Sequence, residues 1–173
     1  RAQAQGPLTA AAGAIVVLTT DGKGVPRRKD ALRPQTRKAA ETSSHKLSTR
    51  LSKGEKRHRK RIATVASVSS LAPSVRRADD VVCEVAPGRE VRLERRPQPQ
   101  GKRVWASVRQ EPRAVIAEMF DEARGREPEG QRPWVVLVDG QEHQLRLLRQ
   151  EVKRRRLTVT LILDLFHVLE YLW

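Results

Sequence analysis

Three aspartates follow three apolar runs. "AIVVL" (14–18) leads to Asp21, "WVVLV" (134–138) leads to Asp139-Gly140, and "LTVTLIL" (157–163) leads to Asp164. Carboxylates are hard oxygen donors. Mg2+ takes such donors and keeps water and substrate phosphate in the rest of its shell. Two such ions about 3.5–4 Å apart can activate a nucleophile and stabilise a leaving oxygen in phosphoryl transfer. If the three runs are parallel neighbours in one sheet, their acids converge at its carboxyl edge, where α/β folds place their sites. Plainer readings stand beside this one. Asp-Gly after a strand is an ordinary turn. Apolar runs ending in Asp also occur in nucleotide hydrolases, but "GKGVPRRK" (22–29) does not match G-x-x-x-x-G-K-[ST].

Cations crowd the first acid, in "LTTDGKGVPRRK" (18–29). The chain has 173 residues and a formal net charge of +15; between Lys23 and Ile62 fifteen basic residues stand against three acidic ones. Such a field attracts polyanions, nucleic acid first among them. The alternative is a solvated basic loop. An anionic membrane fits less well, because the basic run lacks the bulky apolar face of an interfacial helix. Aromatic residues are 3% of the chain, too few for a string of base-stacking platforms. Phosphate contact is the better-supported mode. Its candidates are Lys23, Arg27, Arg28, Lys56, Arg57, Arg59, Lys60 and Arg61. Cys83 is the only cysteine, which excludes an internal disulfide and a multi-cysteine zinc site and suits a reducing cytoplasm. The four histidines are scattered without ligand spacing, and no apolar run reaches the roughly 18–20 residues of a membrane span.

The elements that would position these residues are legible in outline. The three apolar runs read as strands buried on both faces. "RIATVASVSSL" (61–71) predicts a strand or hairpin. "PRAVIAEMFDEARG" (112–125) opens on a proline and ends on a glycine, with apolar residues at helical spacing. "QEHQLRLLRQEVKRR" (141–155) predicts a second helix, with Leu145, Leu148 and Val152 on one face. "LFHVLEYLW" (165–173) begins a third. Residues 22–60 read as a basic insert and 88–103 as a turn or linker stretch rich in Pro and Arg. The alternation of strand and helix after residue 112 predicts an α/β domain with parallel crossovers.

Five blocks, "TTDGKGVPRRK", "KGEKRHRKRIATVASV", "KRVWASV", "PWVVLVDGQEHQL" and "LILDLFHVLEYLW", resemble, in order, bacterial insertion-sequence transposases of the ISKra type. These are DDE recombinases with a ribonuclease-H-like core. The resemblance runs from about residue 14 to 173. It implies a mixed five-stranded sheet flanked by helices, with Asp21 on the central strand as the first catalytic acid and Asp139 at the end of the fourth strand as the second. Both would bind Mg2+ or Mn2+, with Asp164 a further candidate ligand. The third acid, a glutamate, is expected on a later helix beyond an inserted helical region that begins at 165–173; no residue of this chain is assigned to it. The partners implied are insertion-sequence ends and target DNA, in a homo-oligomer when intact, at the bacterial nucleoid. The chain departs from the pattern in "RRKDALRPQTRK", which is unusually basic, and in "ASVSSLAPS", which lacks a bulky aromatic. These departures and the abrupt ends lead us to expect a partial, inactive copy of a single catalytic domain, 1–173. The alternative is a non-catalytic basic remnant that binds nucleic acid.

Overall fold

A computed structural model of the chain describes residues 14–42, 59–75 and 97–170. Five strands form one sheet: β1 (Ile15–Pro26), β2 (Lys60–Leu71), β3 (Gln100–Ser107), β4 (Trp134–Val138) and β5 (Val159–Leu163). Their order across the sheet is β3-β2-β1-β4-β5. β1 pairs antiparallel with β2 and parallel with β4; β2–β3 is antiparallel and β4–β5 parallel. The helices are α1 (Pro34–Glu41), α2 (Pro112–Arg126), α3 (Glu142–Arg155) and α4 (Leu165–Glu170). The protein is thus an α/β molecule with a mixed sheet flanked by helices.

Side chains alternate between the two faces of a strand. On one face Val16 and Leu18 of β1, Ala66 and Val68 of β2, and Trp134, Val136 and Val138 of β4 meet the buried stripe of α2: Val115, Ile116, Met119, Phe120 and Ala123. Leu147 and Leu148 of α3 close the same core. Full burial of a side chain of this size is worth about 1.5–3 kcal/mol. Both long helices therefore bind the sheet through one face. The opposite face carries Ile15, Val17 and Thr19 of β1 and Val135 and Leu137 of β4, all only partly buried.

Ion pairs tie the helices to each other and to the sheet. Arg126 of α2 pairs with Glu122 at 2.6 Å and donates to the carbonyls of Val68 and Gly101. Arg155 of α3 reaches Asp121 of α2 at 2.5 Å and the Ala117 carbonyl at 3.0 Å, while its Nε bonds Glu151.

Two expectations change, and one open alternative is resolved. β1 does not end near Leu18. It runs to Pro26, so Asp21 lies inside the strand and residues 22–26 belong to it rather than to a basic insert. Gly22 and Pro26 are poor strand formers; the twelve-position pairing with β2, from Ile15↔Leu71 to Pro26↔Lys60, holds them extended. What stops after Thr19↔Leu137 is the pairing with β4. Residues 61–71 form a single strand, not a hairpin. Gln100–Arg103, inside the expected turn stretch, open β3. This is an edge strand, and exposed Lys102 and Arg103 are the kind of charge that protects an edge from further pairing.

Candidate active site

Each β4 partner lies 118 positions after its β1 partner, from Val16↔Trp134 to Thr19↔Leu137. Asp139 lies 118 positions after Asp21. Continued by two residues, that offset would match Asp21 with Asp139, but the pairing of β1 with β4 ends at Thr19↔Leu137, so each aspartate lies two positions past the last pair of neighbouring parallel strands. Each β5 partner follows its β4 partner by 25, from Trp134↔Val159 to Val138↔Leu163, and Asp164 follows Asp139 by 25. The Asp164 N–H donates to the Val138 carbonyl at 2.8 Å, which holds this register at the strand ends. Asp139 and Asp164 thus share one level just past the ends of β4 and β5, and Asp21 lies on β1 two positions past its last pair with β4. By alternation Asp21 shares the face of Val17 and Thr19, away from α2 and α3.

Local hydrogen bonds fix two of the carboxylates. Asp21 Oδ1 accepts the Gly22 N–H at 2.6 Å. Asp139 Oδ1 accepts the Gln141 N–H at 3.0 Å, an Asx-type turn that steers the chain from β4 into α3. Gly140 takes φ +93°, a conformation that favours glycine, at this turn. No other partner of the Asp21 or Asp139 carboxylates occurs among the described residues. Asp164 Oδ2 lies 3.3 Å from His167 Nδ1, one turn along α4. Its orientation is not that of a hydrogen bond, and Nδ1 is buried without one.

A cavity of about 300 Å3 opens beside the pair, lined by Gly22, Asp139, Gly140 and Gln141. From β1 the chain turns back to β2 on one side, and from β4 it crosses through α3 to β5 on the other. The cavity thus lies where the connections diverge at the carboxyl ends of two parallel strands, the place where open α/β sheets bind ligands.

The expected phosphate-binding cations fall into three groups. Lys23, Arg28, Lys60 and Arg61 are exposed and Arg27 is half-buried. None of the five has an acidic partner among the described residues. Lys23 shares the Asp21 face of β1; Arg61 sits opposite Val25 and by pairing shares that face too. Lys60 lies on the other face, its stem against Gly24. Arg59 is different: it is 2% exposed, so it is not part of the cationic surface. Lys56 and Arg57 lie outside the described residues, as does Cys83.

Carboxylates at neighbouring strand ends suit a hard divalent cation; Asp21 and Asp139 are the residues that would hold it, with Asp164 beside Asp139. No three His, Cys, Asp or Glu side chains among the described residues form a metal-holding group. Nothing in the residue pattern points to Gln144. It is 4% exposed, its Oε1 has no hydrogen-bond partner among the described residues, and its Nε2 would lie 3.6 Å from a Cβ on Gly22. A lone glutamine in an amphipathic helix carries no motif. No helix among the described residues is long and apolar enough to cross a membrane. No family model, no curated protein and no solved structure matches the chain.

Proposed function

We propose that the chain is the ribonuclease-H-like core of a DNA transposase of the DDE type, related to bacterial insertion-sequence transposases of the ISKra type. The observation that supports the reading is the shared offset: Asp21 and Asp139, the two acids singled out by the resemblance, each follow by two residues the last paired positions, Thr19 and Leu137, of adjacent parallel strands. The reaction is hydrolysis of a phosphodiester at the element end, followed by attack of the freed 3′-hydroxyl on target DNA. In the second step one P–O bond forms as one breaks, so the bond energy is conserved.

Bound Mg2+ or Mn2+ would supply Lewis-acid stabilisation of charge on the phosphoryl oxygens. The protein's own part is positioning. The Asp21 and Asp139 carboxylates would hold the cation; the Gly22 and Gln141 N–H groups orient them. Lys23 and Arg61, on the same face, attract the phosphates of the strand that approaches. The test is cleavage of element-end DNA by the full-length gene product in Mg2+ or Mn2+. Asp21→Asn and Asp139→Asn each abolish it; cleavage that survives both substitutions overturns the assignment.

A second reading, a nucleic-acid-binding protein without catalysis, is favoured by Lys23, Arg27, Arg28, Lys60 and Arg61, which have no acidic partner among the described residues. It requires DNA affinity that is indifferent to divalent cations, to Asp21→Asn and to Asp139→Asn.

A further inference from the structure

β1 and β2 run on together past the rest of the sheet. β1 last pairs with β4 at Thr19↔Leu137, and β2 last pairs with β3 at Thr64↔Ser107. β1 and β2 stay paired as far as Pro26↔Lys60. The four pairs from Lys23↔Ala63 to Pro26↔Lys60 therefore form a two-stranded ribbon with no third strand on either edge among the described residues. At the rise of a strand it is about 10 Å long. Lys23, Val25, Pro26, Lys60, Arg61 and Ile62 are all exposed on it.

Its charge has one sign and lies on both faces. Between Gly22 and Arg28, and between Lys60 and Ile62, stand Lys23, Arg27, Arg28, Lys60 and Arg61, and no acid. Residues directly opposite in an antiparallel pair share a face. Arg61 thus lies with Val25 and Lys23, while Lys60 lies with Gly24 and Ile62 on the other side. Each face also carries an uncovered apolar side chain, Val25 at 40% exposure and Ile62 at 61%. A flat polyanion would neutralise one face and leave the other bare. A groove with a phosphate wall on each side neutralises both.

We infer that this ribbon seats in the major groove of duplex DNA, one face toward each phosphate wall: Lys23 and Arg61 meet one wall and Lys60 the other. The major groove of B-form DNA is about 12 Å wide and admits a two-stranded ribbon. A strand layer with side chains on both faces is about 10 Å thick, the spacing of packed sheets. The major groove of duplex RNA is deep and too narrow for side chains to read. The inference rests on the reading of the chain as a DNA-binding protein and needs neither metal nor catalysis.

The test titrates the chain with a DNA duplex, and with an RNA duplex of equal length, at several salt concentrations. Lys60→Ala and Arg61→Ala each lower the slope of log affinity against log salt on DNA by about 0.9, and the double variant lowers it by about 1.8. On RNA the double variant loses no more than one such step. Both side chains are exposed, so melting temperatures stay near that of the unsubstituted chain. Guanine N7, an atom of the major groove, is protected from methylation in the DNA complex. A Lys60→Ala protein with its DNA slope intact, an equal double loss on RNA, or guanine N7 that methylates freely in the complex each overturns the groove seating and leaves the DNA-binding reading in place. Affinity of the unsubstituted chain that does not change with salt removes that reading, and this inference with it.

Discussion

Asp139 and Asp21 each follow by two residues the last paired positions, Leu137 and Thr19, of two neighbouring parallel strands, with no cation side chain paired to either carboxylate among the described residues. Like charges placed directly across neighbouring strands destabilise a sheet by roughly 0.2–1 kcal/mol. A fold gains nothing from two acids at neighbouring strand ends; on the proposed reading, a cation between them turns the cost into a binding site. In EDTA, Asp21→Asn therefore raises the melting temperature slightly, by the equivalent of about 0.2–1 kcal/mol. In Mg2+ the order reverses, because a ligand that binds only the native state stabilises it by mass action. Thermal melts of both proteins across a Mg2+ titration check this. An Asp21→Asn protein that gains as much from Mg2+ as its parent removes Asp21 from the metal site.

The two acids depend on the helix-bound face beneath them. Leu18 precedes Asp21 by three positions on β1, is fully buried, and packs in the core shared by α2 and α3. Leu18→Ala removes three buried carbons and leaves a cavity, which costs about 2–5 kcal/mol. Chemical denaturation reads this as a lower midpoint with an unchanged slope. A loss under about 1 kcal/mol would mean that β1 is not the central strand of the core.

How much of this could be read from the residues depends on where the determinants of each element lie. "AIVVL" and "WVVLV" identify themselves as strands by unbroken apolar runs bounded by turn residues, but the expectation that all three runs are buried on both faces fails: burial alternates along β1 and β4, and β5 is largely exposed. The helices over 112–126 and 142–155 follow from local periodicity and from Pro112. The course of β1 past Asp21 does not, because Gly22, Lys23, Gly24 and Pro26 are extended only through partners about forty residues away in β2. β3 is hidden for a related reason: "QGKRVWAS" is a solvated edge, and its residues say little about burial. The aspartates stand out individually; the matching offsets of 118 and 25 that relate them are supplied only by the pairing. Gln144 was illegible, since its distinction is the absence of a partner in three dimensions.

Glu151 supports a pH prediction. It is 2% exposed and bonds both Arg154, at 2.6 Å, and Arg155, at 3.0 Å. Burial alone would raise its pKa. The hydrogen bonds and charges of the two arginines outweigh burial and hold it below the ordinary value of 4.5. Glu122 and Glu127 are lowered against burial in the same way, by Arg126 and Arg103 and by Arg132. The folded state thus binds these protons less readily than the unfolded chain. The stability they contribute is fully present above about pH 4.5 and is lost as pH falls through the lowered folded values. Glu151→Gln costs about 1–3 kcal/mol at neutral pH, and the difference from the parent shrinks below about pH 4.5. Denaturation at pH 7 and pH 3.5 tests this; an equal penalty at both would mean that the charge of Glu151 is not what stabilises the α2–α3 contact.

Burial separates Arg59 from Lys23 and Arg61, although all three belong to one basic stretch of sequence. Lys23 and Arg61 are exposed, have no acidic partner among the described residues, and share the Asp21 face. Arg59 is 2% exposed, and its carbonyl accepts the Arg27 N–H at 2.9 Å at the open end of the β1–β2 pair. A cation that neutralises a phosphate releases condensed counterions, so each one lost should lower the slope of log affinity against log salt by about 0.9 on duplex DNA. Lys23→Ala and Arg61→Ala each produce that change and leave the melting temperature nearly constant. Arg59→Ala does the reverse: it lowers the melting temperature, because a buried side chain is removed, and leaves the salt slope in place. DNA titrations at several salt concentrations, beside thermal melts, distinguish the two behaviours. A reduced slope for Arg59→Ala with unchanged stability would place that guanidinium at the nucleic acid instead of inside the fold.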